Sequence, residues 1–331
     1  MSWCVVYLAS PRNHHIYNDP TQFSRLELLQ GSVSIVRTMF PTVDILVFHE
    51  DYTEEDMERL PGGTKFLRVD FSGREDLCNR GLRRPYGYLM MCRFFSGILQ
   101  SHPEVMKYTH YMRLDDDSYF LEPFLSEDHV TRRLLTHDYV FRSTFRDPQD
   151  QQSLWEFTLD FLRKEGYEAH LETLKAHLRR TYFLVGDWYT GLAPYNNFHI
   201  ASQRLWQNPL TQRYIRALDE SNGILQRGWM DANIHGMVIY VLTLFMGMKI
   251  HHEASFGYRH NVHVSVLHSD TLDYQPSLPF GIVQRQPTRS ALYPSTQLES
   301  TPDGEEATPQ SAPSSPHMCH PGDTPEHSDI L

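Results

Sequence analysis

The chain has 331 residues, a formal net charge of -11 and 40% hydrophobic residues, enough for one large α/β domain or two small ones. An acidic protein is a poor candidate for binding nucleic acid through its phosphates. An anionic ligand would therefore need a local device, such as a metal ion or a few placed arginines. The four cysteines show no CxxC spacing, and we expect neither a zinc site nor a disulfide framework.

The N-terminal residues lack the features of a secretory signal. The run WCVVYLA (Trp3–Ala9) is β-branched and aromatic, which predicts a strand. The longest apolar run, residues 237–248, is too short to span a bilayer and is predicted to be a buried helix. We therefore expect either a soluble chain or one whose N-terminal anchor is not part of this sequence.

The first half of the chain alternates between patterns typical of strands and patterns typical of helices. Strands are predicted at residues 3–9, 43–50, 64–71 and 108–114, and helices at residues 24–40, 53–60, 86–105 and 153–181. This alternation predicts an α/β fold in which helices flank both faces of a mainly parallel central sheet.

The last part of the chain has a different composition. Half of the 20 prolines lie in residues 276–331, with Ser, Thr, Gln and Glu between them. Such a segment has too few apolar residues to form a core and is predicted to be disordered. We therefore predict a folded domain at residues 1–273 and a disordered tail at residues 274–331.

Three consecutive aspartates, Asp115, Asp116 and Asp117, follow the strand predicted at residues 108–114. Adjacent like charges repel, so solvent must screen them, or a cation or a basic side chain must compensate them. Ligands of α/β sheets bind beyond the carboxyl ends of the strands, where these residues fall. Carboxylates there can hold Mg²⁺ or Mn²⁺, which neutralises the charge of a nucleotide diphosphate leaving group. The alternative is a solvated surface turn.

Four segments resemble the ordered landmarks of a known family, the fungal Golgi α-1,2-mannosyltransferases (glycosyltransferase family fifteen, the KTR group). They are YLMMCRFFSG (residues 88–97), YTHYMRLDDD (108–117), YNNFHIAS (195–202) and GWMDANIHG (228–236). The family has a tyrosine before a C-R-F-x-S-G helix, then W-R-V-E-P, S-N-F-E-I and R-W-G-D-A-P-V-H. The resemblance spans roughly residues 86–258.

The resemblance implies a GT-A-like fold with a mixed, mostly parallel central sheet flanked by helices. It also implies a retaining glycosyltransferase that moves mannose from GDP-mannose to a mannose-containing glycan of a glycoprotein. The family works in the Golgi lumen behind an N-terminal anchor, so a Golgi location is implied as well. The expected partners are a nucleotide-sugar donor and a glycan acceptor.

The resemblance further implies a Mn²⁺ or Mg²⁺ site. Asp115 takes the place of the family's metal-contacting glutamate, and His235 matches the histidine that completes the metal site. From the residues alone, His235 could also be a core histidine with satisfied hydrogen bonds. Its spacing from Asp231 places both residues on one face of a helix.

Two further groups of residues are implied around the donor and the acceptor. The implied catalytic residues are His199, Asp231, which would face the acceptor sugar, and Tyr88, near the transfer centre. The implied nucleotide-binding residues are Arg12, Arg113 and Asp117. The alternatives left open are core packing for Tyr88 and a buried ion pair for Arg113.

His199 marks one departure from the family pattern, because the family has a glutamate there that is proposed as a nucleophile or as the stabiliser of a cationic sugar. An imidazole stabilises a cationic centre less well than a carboxylate does. This change favours a front-face route, in which the departing phosphate assists the incoming hydroxyl. Two alternatives stay open: a GT-A transferase that uses a UDP-sugar, and a non-catalytic glycan or nucleotide-sugar binding protein.

Overall fold

The computed structural model describes residues 2–10, 24–147 and 151–260, together with the backbone of two short strands at residues 263–265 and 272–274. All of these residues belong to one compact unit. Arg12 and the predicted tail beyond residue 274 lie outside the described residues. The predicted domain boundary at residue 273 therefore stays a prediction.

The strands and helices of the described residues follow the predicted alternation in the first half of the chain. The strands are β1 (Trp3–Ala9), β2 (Asp44–His49), β3 (Thr64–Arg68), β4 (His110–Leu114), β5 (Ser118–Leu121), β6 (Tyr139–Phe141), β7 (Thr144–Arg146), β8 (Leu184–Val185), β9 (Trp188–Tyr189), β10 (Leu192–Pro194), β11 (Phe198–Ser202), β12 (Ile250–His252), β13 (Gly257–His260), β14 (His263–Ser265) and β15 (Leu272–Tyr274). The α-helices are α1 (Arg25–Met39), α2 (Glu54–Glu58), α3 (Tyr86–Arg93), α4 (Leu99–Ser101), α5 (Glu127–Arg132), α6 (Gln152–Lys164), α7 (Leu171–Arg180), α8 (Gln203–Trp206), α9 (Pro209–Glu220), α10 (Gly223–Arg227) and α11 (Asp231–Tyr240).

An eight-stranded central sheet has the strand order β15-β12-β6-β11-β4-β1-β2-β3. Strands β4, β1, β2 and β3 run parallel to one another, and β12 runs parallel to β6. Strand β11 lies antiparallel between β4 and β6. The sheet is therefore mixed and mostly parallel, which confirms the predicted fold class.

Strand β1 shows why both faces of this sheet are covered. Cys4 and Val6 pack into one hydrophobic core, whereas Val5 and Tyr7 pack into a second core on the opposite face. Successive strand residues point to opposite faces, so a strand that is apolar throughout requires helices on both sides. With both faces covered, a ligand can reach this sheet only at the strand ends.

The helix predicted at residues 86–105 is interrupted in the structure. Helix α3 ends at Arg93, a π-helical turn spans Phe94–Ile98, and α4 follows. Such turns are frequent at functional sites because they displace carbonyl groups and side chains from the regular helical pattern. Here the turn contains Phe95, which contacts residues of the site described below.

Helix α11 starts at Asp231 and is buried along its whole apolar length, with Ile234, Met237 and Val238 all 0% exposed. The buried helix predicted at residues 237–248 therefore exists, but it ends at Tyr240 and continues as a 3₁₀ turn, Leu242–Phe245. Within the described ranges, no helix combines the length and the apolarity that crossing a bilayer requires.

Candidate active site

Asp115 lies at the carboxyl end of β4 and is held by two basic side chains. One of its oxygens accepts hydrogen bonds from Arg113 Nη2 at 3.0 Å and Nε at 3.2 Å. The other oxygen lies 3.4 Å from His260 Nε2. Burial acts to raise the pKa of Asp115, but the charges of Arg113 and His260 outweigh it and lower the pKa. Asp115 is therefore ionised at neutral pH.

Asp116 and Asp117 are both buried and share the guanidinium of Arg25, the first residue of α1. Arg25 Nη2 lies 3.0 Å from Asp116, and Arg25 Nη1 lies 3.4 Å from Asp117. Burial, followed by the charges of Asp117 and Asp115, raises the pKa of Asp116 to about 7, and Arg25 acts in the opposite direction. The positive charge of Arg25, at the N-terminus of α1, thus compensates part of the negative charge of the three aspartates.

His260 joins Asp115 and Asp117 from another part of the chain. It ends β13, which pairs with β5 directly after the aspartates, with His260 opposite Ser118. His260 Nε2 lies 3.2 Å from Asp117 Oδ1 as well as 3.4 Å from Asp115 Oδ2. Its other nitrogen, Nδ1, lies 2.9 Å from the hydroxyl of Tyr195, which fixes the ring orientation.

The sequence analysis did not identify His260. The resemblance on which it relied ended at residue 258, and a single histidine among 19 carries little information. The available signal was its position at the end of a short aromatic segment, GYRH, after the last apolar block. Only the pairing of that segment with β5 reveals its relation to the aspartates.

The cluster formed by Asp115, Asp117 and His260 has the chemistry that a divalent cation requires. The described part of the chain holds no preformed set of three or more His, Cys, Asp or Glu ligands. In this structure the His260 imidazole lies where a cation could bind to Asp115 and Asp117. Burial acts to lower the pKa of His260, but the two carboxylates outweigh burial and raise it. Asp117 Oδ1 is buried and accepts no hydrogen bond from the residues that the structure describes. Magnesium-type sites often use only one or two carboxylates and complete their coordination with substrate phosphates and water.

Arg113 is buried between two carboxylates. Besides Asp115, its guanidinium contacts Asp231, with Nη1 2.7 Å from Oδ2. Its Cζ lies 3.4 Å from the centroid of the Phe95 ring, a cation–π contact. Arg113 thus forms a buried ion pair, the alternative that the sequence left open, and holds Asp115 and Asp231 in fixed positions.

Of the predicted catalytic residues, Asp231 belongs to this ion pair, and Tyr88 contacts Met230, the residue before Asp231. Asp231, 4% exposed at the start of α11, also accepts a hydrogen bond from Asn196 Nδ2 at 2.9 Å. The Tyr88 hydroxyl lies 3.8 Å from the sulfur of Met230, and the Arg84 guanidinium lies 4.8 Å over the Tyr88 ring. Since a thioether is a weak acceptor, the Tyr88 hydroxyl keeps capacity for a ligand.

His235 is placed differently from what the sequence analysis predicted. Its Nε2 lies 2.9 Å from the Phe95 carbonyl, which can only accept, so Nε2 carries the proton. Its Nδ1 then accepts from the Tyr139 hydroxyl at 2.8 Å. The ring is 0% exposed, and burial lowers its pKa to about 4. Neither nitrogen has a lone pair free for a metal, so the structure does not support His235 as the histidine ligand, and His260 becomes the candidate in its place.

His199 is likewise buried beneath the cluster and does not reach a surface. Its Nδ1 donates to the Asn196 carbonyl at 3.1 Å, and its Nε2 lies 3.4 Å from the Tyr111 hydroxyl. The ring stacks on Tyr139 with centroids 5.0 Å apart and is 0% exposed. Burial, then the charges of His235 and Arg113, lower its pKa well below the usual value. The predicted catalytic role of His199 is not supported, because a neutral, enclosed imidazole cannot contact a substrate.

A mixed sheet with an acidic cluster beyond its central strand is the arrangement of the GT-A class of nucleotide-sugar transferases. The fold is similar to core-mannan synthase A (CmsA/Ktr4) from Aspergillus fumigatus in its Mn/GDP form, with a TM-score of 0.62, 19% identity, and coverage of 80% of this chain and 76% of that chain. It is also similar to mannosyltransferase Ktr4p from S. cerevisiae in complex with GDP, with a TM-score of 0.58, 20% identity, and coverage of 78% and 71%. These likenesses establish the GT-A-like fold.

Residues 73–276 match the family described as glycolipid 2-alpha-mannosyltransferase, and the chain belongs to that family. The resemblance noted in the sequence is thereby confirmed. The chain is 28% identical to O-glycoside alpha-1,2-mannosyltransferase homolog 4 of Schizosaccharomyces pombe over 247 residues, which cover 63% of this chain and 54% of that protein. It is 26% identical to the glycolipid 2-alpha-mannosyltransferase of Saccharomyces cerevisiae over 185 residues, which cover 52% and 38%. The chain thus spans about half the length of the curated relatives it matches, or less.

Proposed function

We propose that the protein transfers mannose from GDP-mannose to a hydroxyl of a mannose-containing glycan, forming an α-1,2 linkage with retention of the anomeric configuration. The observation that carries this proposal is the convergence of Asp115, Asp117 and His260 at the end of the central strand. Membership of the mannosyltransferase family supports the choice of donor and linkage.

In this proposal Asp115, Asp117 and His260 hold a Mn²⁺ or Mg²⁺ ion. When bound, such an ion neutralises the charge that collects on the departing diphosphate. The residues fit the ion, because carboxylate oxygens are hard ligands and imidazole suits Mn²⁺. Among the described residues, the four carboxylates of the acidic run and Asp231 face two guanidiniums, of Arg25 and Arg113, and one imidazole, so acidic groups outnumber basic ones.

The neighbouring side chains would position the two substrates. Arg113 forms hydrogen bonds to both Asp115 and Asp231, which fixes the positions of the two carboxylates. The ring of Phe95 packs against the Arg113 guanidinium and restricts its movement. Tyr88 offers a hydroxyl next to Met230, the residue before Asp231, for an oxygen of the sugar or the diphosphate. We assign Asp231 to the acceptor side, where its carboxylate would orient the attacking hydroxyl.

Retention follows a front-face route in this proposal. The acceptor oxygen bonds to C1 of mannose on the face from which the diphosphate departs, and the acceptor proton passes to a diphosphate oxygen. His199 cannot replace the family glutamate as a nucleophile, because it is buried and both of its ring nitrogens contact protein groups. No covalent bond between sugar and protein is therefore required.

A transfer assay with a matched acidic variant tests this function. Purified protein is given Mn²⁺, GDP-mannose and methyl α-mannoside, and the disaccharide and its linkage are measured by NMR. We expect Asp115→Ala to reduce transfer at least about 100-fold and to weaken Mn²⁺ binding. The control is Asp128→Ala, which removes an exposed carboxylate on α5 and should leave both unchanged.

Three results would count against the proposal. One is the absence of both transfer and hydrolysis of GDP-mannose, together with unchanged Mn²⁺ affinity in Asp115→Ala. Another is a thermal-shift panel in which a UDP-sugar stabilises the protein and GDP-mannose does not, which would identify a different donor. The third is binding without turnover that His199→Glu converts to turnover, which would identify a non-catalytic homologue.

We extend the proposal to the Golgi lumen as the place of action, on the basis of the family alone. A tagged full-length gene product that co-localises with a Golgi marker would support it. A uniform cytosolic distribution of the same product would contradict it.

A further inference from the structure

Three arginines before helix α3 carry positive charge that no carboxylate in the described part of the chain compensates. They are Arg80, Arg83 and Arg84, within NRGLRR (residues 79–84), which we call the arginine loop. None of the three donates a hydrogen bond to, or forms a salt bridge with, any residue that the structure describes. Arg80 and Arg83 are exposed, whereas the Nε atom of Arg84 is buried without a hydrogen-bond partner there. Because an unpaired buried donor destabilises a protein, this arrangement points to a ligand.

The arginines on either side of the arginine loop are paired, which sets the loop apart. Arg74 Nη2 lies 3.9 Å and Arg93 Nε lies 2.5 Å from the Asp219 carboxylate. Arg74 also donates to the side-chain oxygen of Asn222 at 3.3 Å. The chain has 41 acidic residues against 30 lysines and arginines, so acidic partners are abundant. The lack of such a partner for the arginine loop, among the described residues, is therefore a local feature.

The arginine loop packs against the segment that leads to Asp231. The backbone N–H of Asn79 donates to the Leu225 carbonyl at 3.0 Å, and Asn79 Nδ2 donates to the Gln226 carbonyl at 3.1 Å. Both carbonyls belong to α10, which ends at Arg227, four residues before Asp231. The loop is thus attached to the side of the site that we assign to the acceptor.

Arg84 reaches this side of the site through Tyr88. Its Cζ lies 4.8 Å from the centroid of the Tyr88 ring, and the Tyr88 hydroxyl lies 3.8 Å from the sulfur of Met230. Burial raises the pKa of Tyr88, and the charges of Asp231 and Asp115 add to that rise, so both carboxylates are near. The Arg84 guanidinium therefore contacts a side chain of the candidate site itself.

The surface between Arg84 and Tyr88 has room for a ligand. Gly87 is exposed, and a Cβ added to it would meet no atom of the described residues within 4 Å. A guanidinium is planar and forms two parallel hydrogen bonds with a phosphate group, which makes arginine the usual residue for binding phosphate. Arg84 thus has the chemistry, and the open surface beside it, to bind a phosphate.

The position of Arg84 favours a phosphate on the acceptor over the phosphates of the donor. In the proposed function the donor diphosphate binds through the ion held by Asp115 and Asp117. Arg84 contacts Tyr88 next to Met230, on the Asp231 side. A broad polyanion such as nucleic acid is disfavoured, because the net charge of the chain is -11. A single phosphate group close to Asp231 fits these observations.

We propose that Arg84, assisted by Arg80 and Arg83, binds a phosphate group carried by the acceptor mannose. This inference rests on the proposed function, because it names the substrate class of the same site. The phosphate has the same chemistry whether it is attached to C6 of a glycan mannose or joins C1 of mannose to a lipid. The inference predicts that a phosphorylated mannoside is a better acceptor than a neutral one.

Calorimetry with neutral and phosphorylated acceptors tests the inference. The probes are methyl α-mannoside, its 6-phosphate, and methyl α-mannosyl phosphate, each titrated into the full chain with Mn²⁺ and GDP. We expect one of the phosphorylated probes to bind about tenfold more tightly than methyl α-mannoside. Preference for the 6-phosphate would identify a phosphorylated glycan, and preference for the mannosyl phosphate would identify a lipid-linked sugar. Either preference supports the inference.

Variants of the arginine loop assign the preference to its side chains. Arg84→Gln should lower the ratio of the two affinities, phosphorylated over neutral, about tenfold, and Arg84→Lys should lower it about threefold because it keeps the charge without the planar fork. The double variant Arg80→Gln/Arg83→Gln changes only exposed side chains and should lower the ratio about threefold. The matched control is Arg132→Gln, since Arg132 is exposed on α5 and paired with Asp128.

Three outcomes would overturn the inference. They are equal affinities for the neutral and phosphorylated probes in the wild type, an unchanged ratio in both Arg84→Gln and the double variant, or weaker GDP binding in Arg84→Gln in place of a changed ratio. The last result would assign Arg84 to the donor. Because calorimetry needs no turnover, a phosphate preference without transfer would refute only the proposed function, and transfer without the preference would refute only this inference.

Discussion

Two histidines, His260 and His235, show how differently one side chain can be used. His260 lies at the rim of the cluster, where one nitrogen faces Asp115 and Asp117 and the other meets the Tyr195 hydroxyl. His235 lies in the buried layer behind the rim, between the Phe95 carbonyl and the Tyr139 hydroxyl. The first is charged and partly exposed, whereas the second is neutral and enclosed.

The difference follows from the hydrogen-bonding capacity of each partner. A carbonyl only accepts, so the Phe95 carbonyl fixes the His235 tautomer and leaves its remaining lone pair to Tyr139. A hydroxyl both donates and accepts, so Tyr195 allows His260 Nε2 to be protonated or to act as a ligand. The partner of the far nitrogen therefore decides which imidazole can bind a metal.

The largest effect is expected on protein stability when Arg113, the arginine between the rim and the buried layer, is replaced. Arg113→Met leaves the Asp231 carboxylate buried without its guanidinium partner and removes the main cation beside Asp115. We expect the free energy of unfolding to fall by about 3–5 kcal/mol, measured by urea denaturation. Arg93→Met is the matched control, because Arg93 pairs with the more exposed Asp219. Equal losses in the two variants would show that the buried pair is unimportant.

The buried layer should make stability depend on pH. Burial lowers the pKa of His235 to about 4, below its value of about 6.5 in the unfolded chain. Between these values the unfolded state binds more protons, so stability is greatest above pH ~6.5 and falls by up to about 3 kcal/mol as pH falls toward 4. Urea titrations at a series of pH values measure this slope. His235→Gln should flatten it, and an unchanged slope in that variant would assign the effect to other groups.

The rim should control metal affinity. His260→Ala is expected to weaken Mn²⁺ binding about 100-fold in calorimetry, because it removes the nitrogen ligand from the proposed site. His235→Gln should bind Mn²⁺ within about twofold of the wild type, since neither of its nitrogens is free. Weaker Mn²⁺ binding in His235→Gln together with unchanged binding in His260→Ala would instead support His235, the ligand predicted from the sequence.

The smallest effect is expected from the hydroxyl that orients His260. Tyr195→Phe removes the group within hydrogen-bonding distance of Nδ1 and should weaken Mn²⁺ binding about tenfold without unfolding the protein. The control is Tyr119→Phe, whose hydroxyl donates to the Leu28 carbonyl outside the cluster. Identical Mn²⁺ affinities in all three proteins would remove Tyr195 from the metal site.

The regular elements of the first half could be predicted because local patterns determine them. Strand β1 has the predicted bounds, and α1 begins at a capping box formed by Ser24 and Glu27. The antiparallel strand β11 was not predicted between β4 and β6, because pairing order depends on contacts distant in sequence. Local patterning therefore gives elements, while the order of strands requires the folded chain.

The candidate site could be predicted only in part for the same reason. The three aspartates are adjacent in sequence, and their position at a strand end was sufficient to suggest a cation. His260 reaches them through the pairing of β13 with β5, which no local pattern specifies. His235 and His199 were chosen by motif position, but motif position does not reveal what each ring nitrogen contacts.

A crystal structure with Mn²⁺ and GDP tests the central claim most directly. An anomalous difference map should place manganese about 2.0–2.4 Å from oxygens of Asp115 and Asp117 and from His260 Nε2, with GDP phosphate oxygens completing its coordination. His235 should keep its contacts with Phe95 and Tyr139. Manganese bound to His235, or no manganese beside Asp115, would contradict the account.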